Sequence, residues 1–281
     1  MSTALITGGN TGLGAAFAQR LASQGHSLVL VARNRDRLDG VAARLRAEHR
    51  VEVEVLAMDL AVPAERAIVE RRLNGSVGGP VDILVNNAGV STHELFDRAS
   101  PAGLQSEVDV NITAVLQLTR AALPGMLSRG QGTVINVGSF AGYVGNPGSA
   151  YSASKAWVMS FTDSIAASLV GTGVQAIAIC AGQMRTGRHI RAGRPVGSAS
   201  SPLWLEPADV VDRCLSDLRK GRSLSVPGGT YRTVVNLLEL PRRSLRAVAR
   251  LAGHSREQQA IRVRAPKEPE STTAVSTSVP R

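Results

Sequence analysis

Short apolar segments alternate with longer, more polar segments along most of the chain. The apolar segments are four to seven residues long and resemble strands buried on both faces of a sheet. They are Thr3–Thr7, Ser27–Val31, Val51–Ala57, Asp82–Val85, Thr133–Val137, Val174–Ile179 and Ser223–Val226. This pattern predicts seven strands, none of which is long enough to cross a membrane.

The segments between these strands show helical patterns. They run from a glycine-rich turn to about Gln24, then over Asp36–His49, Ala64–Ser76, Leu104–Arg129, the region of Tyr151 to about Val170, and Pro207–Lys220. Strands that alternate with helices in this way predict an α/β fold. We therefore expect a doubly wound parallel sheet with helices on both faces.

We expect a single catalytic domain over residues 1–230, followed by two further segments. Residues 231–263 are predicted to form basic amphipathic helices, interrupted by Pro241, with an apolar stripe opposite several arginines. Residues 264–281 are rich in Pro, Ser and Thr, and we expect them to be disordered. Gly187–Pro202 shows no periodicity, and we expect the loop from Gly187 to Leu205 to shape a pocket.

The formal net charge of +10 is concentrated in the C-terminal part of the chain. It suggests an anionic partner without identifying one. We do not expect nucleic acid, because no aromatic stacking platform accompanies the basic segment. Peripheral contact with a membrane or lipid through the apolar stripe is an alternative. Packing of this segment on its own domain or on a second subunit is favoured.

Composition points to an aliphatic core in a reducing compartment. The chain is 43% hydrophobic but only 3% aromatic. Cys180 and Cys214 have neither metal-ligand nor redox spacing, so we expect two buried thiols and no metal. The N-terminal residues lack the pattern of a signal peptide. We expect a cytoplasmic protein.

The first predicted strand leads into the glycine-rich turn Gly8-Gly9-Asn10-Thr11-Gly12-Leu13-Gly14, which opens a helix. This is the context of a phosphate-binding loop. Gly8 would make the turn, Gly12 would let the backbone approach a pyrophosphate, and Gly14 would pack the helix against the strand. The spacing Gly-x-x-x-Gly-x-Gly differs from the commoner Gly-x-Gly-x-x-Gly.

The second strand ends in Ala32-Arg33-Asn34-Arg35, at the position that meets an adenosine ribose in such folds. A carboxylate there would bind the ribose 2′-hydroxyl and repel a 2′-phosphate. Arginine instead suits a phosphate, because its planar donor fork binds two oxygens. The sequence therefore predicts NADPH over NADH. Alternatively these arginines begin a solvated helix, and we expect this of Arg37.

Polar residues follow several other strands. Asp59, with Leu60 after it, could accept from an adenine amino group or cap the next helix. In Asn86-Asn87-Ala88-Gly89 the asparagines are expected to bond flanking strands first and to contact a cofactor second. Asn111 lies among apolar residues, either as structural filler or to position a water or a lysine. Ser139 follows a strand where open α/β sheets place ligands.

Tyr151 and Lys155 are four residues apart and would share one face of a helix. An ammonium held there stabilises the tyrosinate and lowers the pKa of the phenol from its reference of about 10. A phenol tuned in this way can exchange a proton with an alcohol or carbonyl oxygen near neutral pH. A solvated pair on a surface helix is the alternative.

Taken together, these motifs resemble the classical short-chain dehydrogenase/reductase family over about residues 3 to 230. The matching residues are Thr7-Gly8-x3-Gly12-x-Gly14, Asn86-Asn87-Ala88-Gly89, Asn111, Ser139 and Tyr151-x3-Lys155. The resemblance implies a single Rossmann-type domain and a homo-oligomer, a dimer or tetramer. It also implies the cofactor-binding residues Gly8, Asn10, Thr11, Gly12, Leu13, Gly14, Arg33, Asn34, Asp59, Leu60, Asn87, Ala88, Gly89, Tyr151, Lys155 and Thr186.

The resemblance also implies a catalytic role for four residues. Tyr151 would be the general acid/base, and Lys155 would bind the nicotinamide ribose and tune the tyrosine. Ser139 would hold the substrate oxygen, and Asn111 would anchor a water in a proton relay. The family commonly has Pro-Gly where this chain has Ala181-Gly182, which predicts a looser loop under the nicotinamide. The stretch from Ser139 to Tyr151 is about one residue shorter than is usual.

The combined pattern predicts an NADPH-dependent oxidoreductase that acts on a small carbonyl or alcohol substrate, with reduction of a ketone or aldehyde favoured. The alternative is a non-catalytic NADP-binding sensor or assembly module. The intact set of Asn111, Ser139, Tyr151 and Lys155 favours the enzyme, because a sensor has no need of the tyrosine.

Overall fold

The computed structural model describes residues 2–92, 94–145, 149–184 and 203–239. The chain divides into two units, Met1–Val235 and Asn236–Arg281, and the architecture below is that of the first. Thr186, the whole of the predicted loop segment Gly187–Pro202, and the predicted C-terminal helices and tail beyond residue 239 lie outside the described residues.

A seven-stranded parallel sheet forms the centre of the domain. Its strands are β1 (Thr3–Thr7), β2 (Ser27–Ala32), β3 (Val53–Ala57), β4 (Ile83–Asn86), β5 (Gly132–Val137), β6 (Val174–Ile179) and β9 (Leu224–Ser225). The strand order is β3-β2-β1-β4-β5-β6-β9. The order reverses between β1 and β4, and open α/β sheets bind ligands beyond the carboxyl ends of the strands at such a point. The predicted doubly wound α/β fold is confirmed.

Helices cover both faces of this sheet. They are α1 (Gly12–Ser23), α2 (Arg35–His49), α3 (Pro63–Leu73), α4 (Pro101–Val108), α5 (Ala114–Arg129), α6 (Ala150–Ser168) and α7 (Pro207–Arg219), and residues 229–239 are also helical. A two-residue parallel pair, β7 (Gln183–Met184) with β8 (Trp204–Leu205), lies outside the main sheet and was not predicted.

Two hydrophobic cores result from the alternation of side chains along the strands. In β1, Ala4 and Ile6 face the core under α1, α2 and α7, whereas Leu5 faces the core under α3, α5 and α6. Phe17 is the only aromatic side chain in either set of buried core residues, so both cores are built mainly from aliphatic side chains. Among the described residues, no helix combines the length and the apolar character needed to cross a membrane.

The predicted single helix Leu104–Arg129 is wrong in one respect. A five-residue π-helical turn, Asp109–Thr113, separates α4 from α5. A π turn accommodates an extra residue in a helix and is frequent at functional sites. Here the turn carries Asn111, whose side chain is fully buried.

A buried carboxylate joins α7 to the edge of the sheet. Asp217 accepts hydrogen bonds from Arg213 Nε at 2.8 Å, Arg222 Nη1 at 2.9 Å and Ser225 Oγ at 2.9 Å. Charged donors on both oxygens compensate the desolvation of this buried anion. The neighbouring thiol of Cys214 has its pKa raised from 9.0 to about 12, first by burial and then by the charge of Asp217.

Both cysteines are buried free thiols, as expected, and should resist alkylation in the folded protein. With a pKa of about 12, Cys214 is ionised to only about one part in ten thousand at pH 8, compared with about a tenth for an unperturbed thiol. Treatment with iodoacetamide followed by mass spectrometry should show no label until guanidinium unfolds the chain. Rapid labelling of native Cys214 would contradict this burial.

Candidate active site

The glycine-rich turn is shaped by close backbone contacts. The amide of Gly8 donates to Val31 O at 2.7 Å, and its φ of +66° lies in the left-handed region that favours glycine. A Cβ on Gly14 would lie 2.2 Å from Gly8 O, so only glycine permits α1 to approach the turn. This packing brings the first turn of α1 to the carboxyl end of β1.

The N-terminus of α1 is suited to an anion. Its N-cap residue, Thr11, makes no side-chain capping hydrogen bond, and no acidic residue lies in the first turn. Backbone N–H groups at such a helix end have no partner within the helix, and the helix dipole favours negative charge there. A phosphate is the ligand that this geometry suits.

A cavity of about 290 Å³ extends from this turn to the end of β2. Residues from the ends of β1, β2, β3 and β4 line it, with one from the π turn. They are Gly8, Asn10, Thr11, Val31, Ala32, Arg33, Asn34, Arg37, Met58, Asp59, Leu60, Ala88, Gly89, Val90 and Val110. Nine of the predicted cofactor-binding residues therefore line one cavity, namely Gly8, Asn10, Thr11, Arg33, Asn34, Asp59, Leu60, Ala88 and Gly89.

The arginines after β2 differ in their surroundings. Arg33 Nη1 lies 3.8 Å from Asp59 Oδ2, and Arg35 Nη1 lies 3.9 Å from Asp39 Oδ2. Arg37 lines the cavity and has no ion pair within the part of the chain that the structure describes. The expectation that Arg37 only begins a solvated helix is therefore incomplete, because the Arg37 side chain adds a second cation to the cavity wall.

Asn34 and Asp59 have local structural roles. Asn34 Oδ1 accepts from the amide of Arg37 at 2.8 Å and so caps α2. Asp59 Oδ1 accepts from the amide of Ala61 at 2.9 Å. The N-cap of α3 is Val62, so the alternative that Asp59 caps the next helix is wrong.

Asn86, the last residue of β4, and Asn87 after it bond the two flanking strands. Asn86 Nδ2 donates to Asn136 Oδ1 on β5 at 2.8 Å and to Thr119 Oγ1 on α5 at 3.1 Å. Asn87 Nδ2 donates to Thr7 O on β1 at 2.8 Å. Their hydrogen bonds therefore agree with the expected architectural role, which is to hold the neighbouring strands together.

Thr7 completes this connection and was not selected as a site residue from the sequence. Its hydroxyl accepts from the amides of Asn87 and Ala88, each at 2.9 Å, and donates to Val85 O at 3.3 Å. The signal available in the sequence was a threonine at the end of a predicted strand, directly before the glycine turn. Thr7 fixes the chain that leads to Gly89.

Asn111 holds the segment after Gly89. Its Oδ1 accepts from Val90 N at 2.9 Å, and its Nδ2 donates to Val90 O at 2.9 Å and to Ser154 Oγ at 3.2 Å. A Cβ on Gly89 would lie 3.3 Å from Asn111 Oδ1 and 3.4 Å from Lys155 Nζ. The structure therefore brings Gly89, Asn111 and Lys155 together.

Glu107 adds a second attachment for the same segment. It is buried, lies one helical turn before Asn111, and accepts a hydrogen bond from the amide of Thr92. Thr92 is two residues after Val90, so Glu107 and Asn111 hold two points of the same segment. In the sequence Glu107 looks like a surface helix residue, and only the tertiary packing against this segment shows that it is buried.

Lys155 is buried on α6 beside Tyr151. Its Nζ donates to Val137 O, at the end of β5, at 2.9 Å and lies 5.6 Å from the centroid of the Tyr151 ring. Ser149 caps this helix by accepting from the amide of Ser152 at 3.3 Å. The alternative of a solvated pair is wrong for Lys155, which is only 3% exposed.

Ser139 begins a 3-10 turn, Phe140–Gly142, that packs on α6. Its Oγ accepts from the amide of Ala141 at 3.2 Å, and Phe140 N donates to Ala181 O at 2.8 Å. A Cβ on Gly142 would lie 2.8 Å from the backbone N of Ala156, so this turn and α6 are in close contact. The ends of β5, β6 and the helix of Tyr151 therefore meet around Ser139.

Comparison with known proteins gives consistent matches. A family model described as short chain dehydrogenase matches residues 2–194. A ketoacyl reductase, HetN, of Nostoc sp. is 35% identical over 181 residues, which are 64% of this chain and 62% of that protein. Thus the match spans less than two thirds of the length of this relative.

Solved structures match over a larger share of the chain. A short-chain dehydrogenase from Sphingobium yanoikuyae in complex with NADPH has a TM-score of 0.79 and 34% identity, covering 88% of this chain and 96% of that one. The bulky-bulky ketone specific alcohol dehydrogenase from Comamonas testosteroni has a TM-score of 0.75 and 30% identity, covering 88% and 94%.

The close contact at Gly14 can be tested by substitution. Gly14→Ala should destabilise the protein by about 1–3 kcal/mol, because the new methyl group meets the backbone of Gly8 rather than a movable side chain. Gly40→Ala, inside α2 with open space around it, should stabilise the protein slightly. Thermal melting of both variants gives the comparison. Equal melting temperatures would show that the turn can relax.

Proposed function

Because the chain belongs to the short-chain dehydrogenase/reductase family of oxidoreductases, we propose that it transfers hydride between NADP and a carbonyl or alcohol substrate. Reduction of a ketone or aldehyde is the favoured direction. The observation that carries this proposal is the buried Lys155 ammonium, 5.6 Å from the Tyr151 ring centroid and beside Gly89 on the cavity side of the sheet.

The residues present fit a nicotinamide dinucleotide. The glycine turn and the free end of α1 would take the pyrophosphate, and the cavity continues past Arg33 and Asn34 for the adenosine. Among the other proposed cofactor-binding residues, Gly12, Gly14 and Asn87 would shape the turn, and Leu13 packs into the core beneath it. When bound, the nicotinamide supplies the hydride, and the protein binds and orients the reactants.

We assign the proton transfer to Tyr151. Its hydroxyl would donate a proton to the substrate oxygen during reduction and regain it from solvent. Lys155, held by Val137 O, would stabilise the tyrosinate left behind and bind the nicotinamide ribose. The buried ammonium is suited to this because its charge is screened little by water.

Ser139 and Asn111 would position the reactants. Ser139 stands at the end of β5 on a turn that contacts α6, where its hydroxyl would hold the substrate oxygen. Asn111 would act through the hydrogen bonds that fix Val90 and Ser154. The water that the family resemblance implies at Asn111, and the contact of Thr186 with the cofactor, stay predictions.

We favour NADP over NAD on the charges at the adenosine end. Two guanidinium groups, from Arg33 and Arg37, line this part of the cavity, and residues 31–35 contain no carboxylate. Asp59 lies 3.8 Å from Arg33, too far for a strong hydrogen bond, so the Arg33 fork can still bind a phosphate. The NADPH in the structure from Sphingobium yanoikuyae supports this choice.

We propose that the protein is a cytoplasmic homo-oligomer acting on a small molecule. Leu116 and Leu127 on α5 are 44% and 42% exposed and lie three helical turns apart on one face. This apolar surface supports contact with a second copy, and the two buried free thiols support a reducing compartment. The names of the relatives support a ketone substrate, in one case a bulky one.

The role of Tyr151 can be tested by Tyr151→Phe, which removes the proton donor and keeps the ring. Turnover should fall by at least roughly 10²-fold, as is typical of general acid catalysis, while NADPH binding survives. NADPH oxidation at 340 nm across a panel of ketones and aldehydes, with NADPH affinity measured by fluorescence, checks both expectations. Turnover near wild type would show that Tyr151 is structural.

Lys155→Met should reduce both turnover and cofactor affinity, because this lysine has two proposed contacts. Lys220→Met provides a matched control, since Lys220 follows α7 on the surface. Both variants lose one positive charge, so a shared effect on NADPH affinity would reflect overall charge. A loss confined to Lys155→Met supports the proposed site.

The choice of cofactor can be tested at Arg33. The wild type should prefer NADPH over NADH by at least about tenfold in kcat/KM, because each charged hydrogen bond contributes roughly one to two decades in affinity. Arg33→Ala should remove most of this preference by weakening NADPH alone. Ala32→Asp should reverse it by adding a repelling carboxylate. Fluorescence titration of both cofactors gives the affinities.

Arg35→Ala serves as the control for Arg33→Ala, since Arg35 lies two residues away, pairs with Asp39 and does not line the cavity. It should leave the NADPH preference unchanged. Equal affinities for the two cofactors in the wild type, or an Arg33→Ala variant that still favours NADPH, would contradict the assignment.

A further inference from the structure

Tyr231 is a buried aromatic residue at the start of the helical segment 229–239. From the sequence it is only the first residue of the basic amphipathic segment. In the structure it is 6% exposed and belongs to a small core with Cys180, Val226 and Val235, separate from the two main cores. Its contacts extend from this core to the ends of β5 and β6.

The hydroxyl of Tyr231 binds two separate backbone segments. It accepts a hydrogen bond from Gln183 N at 3.1 Å and donates one to Leu203 O at 2.9 Å. These residues lie at the parallel pair of β7 and β8, in which Gln183 is opposite Trp204. A pair of only two residues per strand is weak by itself. The Tyr231 hydroxyl therefore joins β7 to the residue before β8 by two hydrogen bonds, at the point where the two strands pair.

The ring of Tyr231 packs on the end of β6. A Cβ on Gly182 would lie 2.2 Å from the ring, so the ring covers the bare backbone of this glycine. The sequence alone predicted a looser loop at Ala181-Gly182. The Tyr231 ring packed on Gly182 is a tertiary restraint on this loop that the local sequence does not reveal.

The same ring contacts the turn that carries Ser139. The rings of Tyr231 and Phe140 meet edge to face, with centroids 4.9 Å apart. Phe140 directly follows Ser139, and its amide donates to Ala181 O. One side chain thus joins the turn after β5, the residues after β6, and β8.

We propose that Tyr231 is a positioning residue for the carbonyl substrate, fixing β7 and β8 relative to Ser139. The inference rests on the proposed function, since Ser139 is the group assigned to the substrate oxygen. The hydroxyl, which is both donor and acceptor, bonds Gln183 and Leu203, so it connects two segments that are 20 residues apart in sequence. In this proposal the hydroxyl fixes β7 and β8 on one side of the substrate, and the ring fixes the turn of Ser139 on the other side.

The test is Tyr231→Phe, which keeps the ring contacts with Phe140 and Gly182 and removes both hydrogen bonds. It is made in a Trp157→Phe background, so that Trp204 on β8 is the single tryptophan. Loss of the hydroxyl should release β8, and acrylamide should quench Trp204 fluorescence at least about twofold more strongly. Quenching needs no substrate and therefore reports on the attachment directly.

Activity provides the second measurement, with ethyl acetoacetate as the probe ketone. Tyr231→Phe should raise its KM by about tenfold, as expected for the loss of two neutral hydrogen bonds that shape a site. The change in kcat should be smaller, and NADPH affinity should stay within about twofold, because the Tyr231 contacts among the described residues do not involve the cavity-lining residues. This separation of KM from NADPH affinity would not arise from a general loss of stability.

Thr172→Val is the matched control. The Thr172 hydroxyl also accepts from one backbone amide, Val174 N at 3.2 Å, and donates to one carbonyl, Leu169 O at 2.7 Å. It lies before β6, at the end of the sheet opposite the site. This variant should lower the melting temperature to a similar extent and leave KM and Trp204 quenching unchanged.

Unchanged Trp204 quenching in Tyr231→Phe would overturn the proposal, as would a KM shift matched by Thr172→Val. If the parent protein reduces no ketone or aldehyde, the proposed function fails instead. In that case quenching still decides whether the Tyr231 hydroxyl holds β8.

Discussion

The rest of the site depends on the hydrogen bonds that tie β4 to its two neighbours. Asn86 bonds β5 through Asn136, and Asn87 bonds β1 through Thr7. These polar groups are buried or nearly so, and a buried amide without partners would be costly. Because these bonds join β4 to β1 on one side and to β5 on the other, they form together only when the three strands are in register.

This connection determines where the backbone goes after β4. Thr7 holds the amides of Asn87 and Ala88, and Asn111 then holds both backbone groups of Val90. Gly89, between them, passes close to the Lys155 ammonium, where a side chain would crowd both Asn111 and Lys155. The position of the buried cation relative to the cavity thus follows from hydrogen bonds in the strand ends rather than from α6 alone.

The cations in and beside the cavity differ in how exposed they are to water. At the end of the cavity that lies beyond β2, the Arg33 side chain is 70% exposed, and water and salt weaken its interactions. Beside Gly89, next to the cavity, Lys155 is buried, and its attraction for nearby negative charge is correspondingly stronger. Exposed cations suit reversible recognition of a phosphate, whereas a buried cation suits stabilisation of a charge that develops during reaction.

The sequence by itself determined the fold class, because strand and helix periodicities are local and alternate without ambiguity. It also identified the glycine turn, whose conformation is a property of its own residues, and the Tyr151–Lys155 pair, which one helical turn brings together. The joint order of these motifs was specific enough to indicate the family.

Only the tertiary structure decided the roles that depend on partners distant in sequence. Tyr231 meets Gln183 from 48 residues away, and Asn111 meets Val90 through a π turn that interrupts the predicted long helix. Glu107 and Arg37 had the appearance of surface helix residues, yet packing buries the first and places the second on the cavity wall. Periodicity encodes which face of an element is apolar, but which polar side chains meet is set by the packing of the elements.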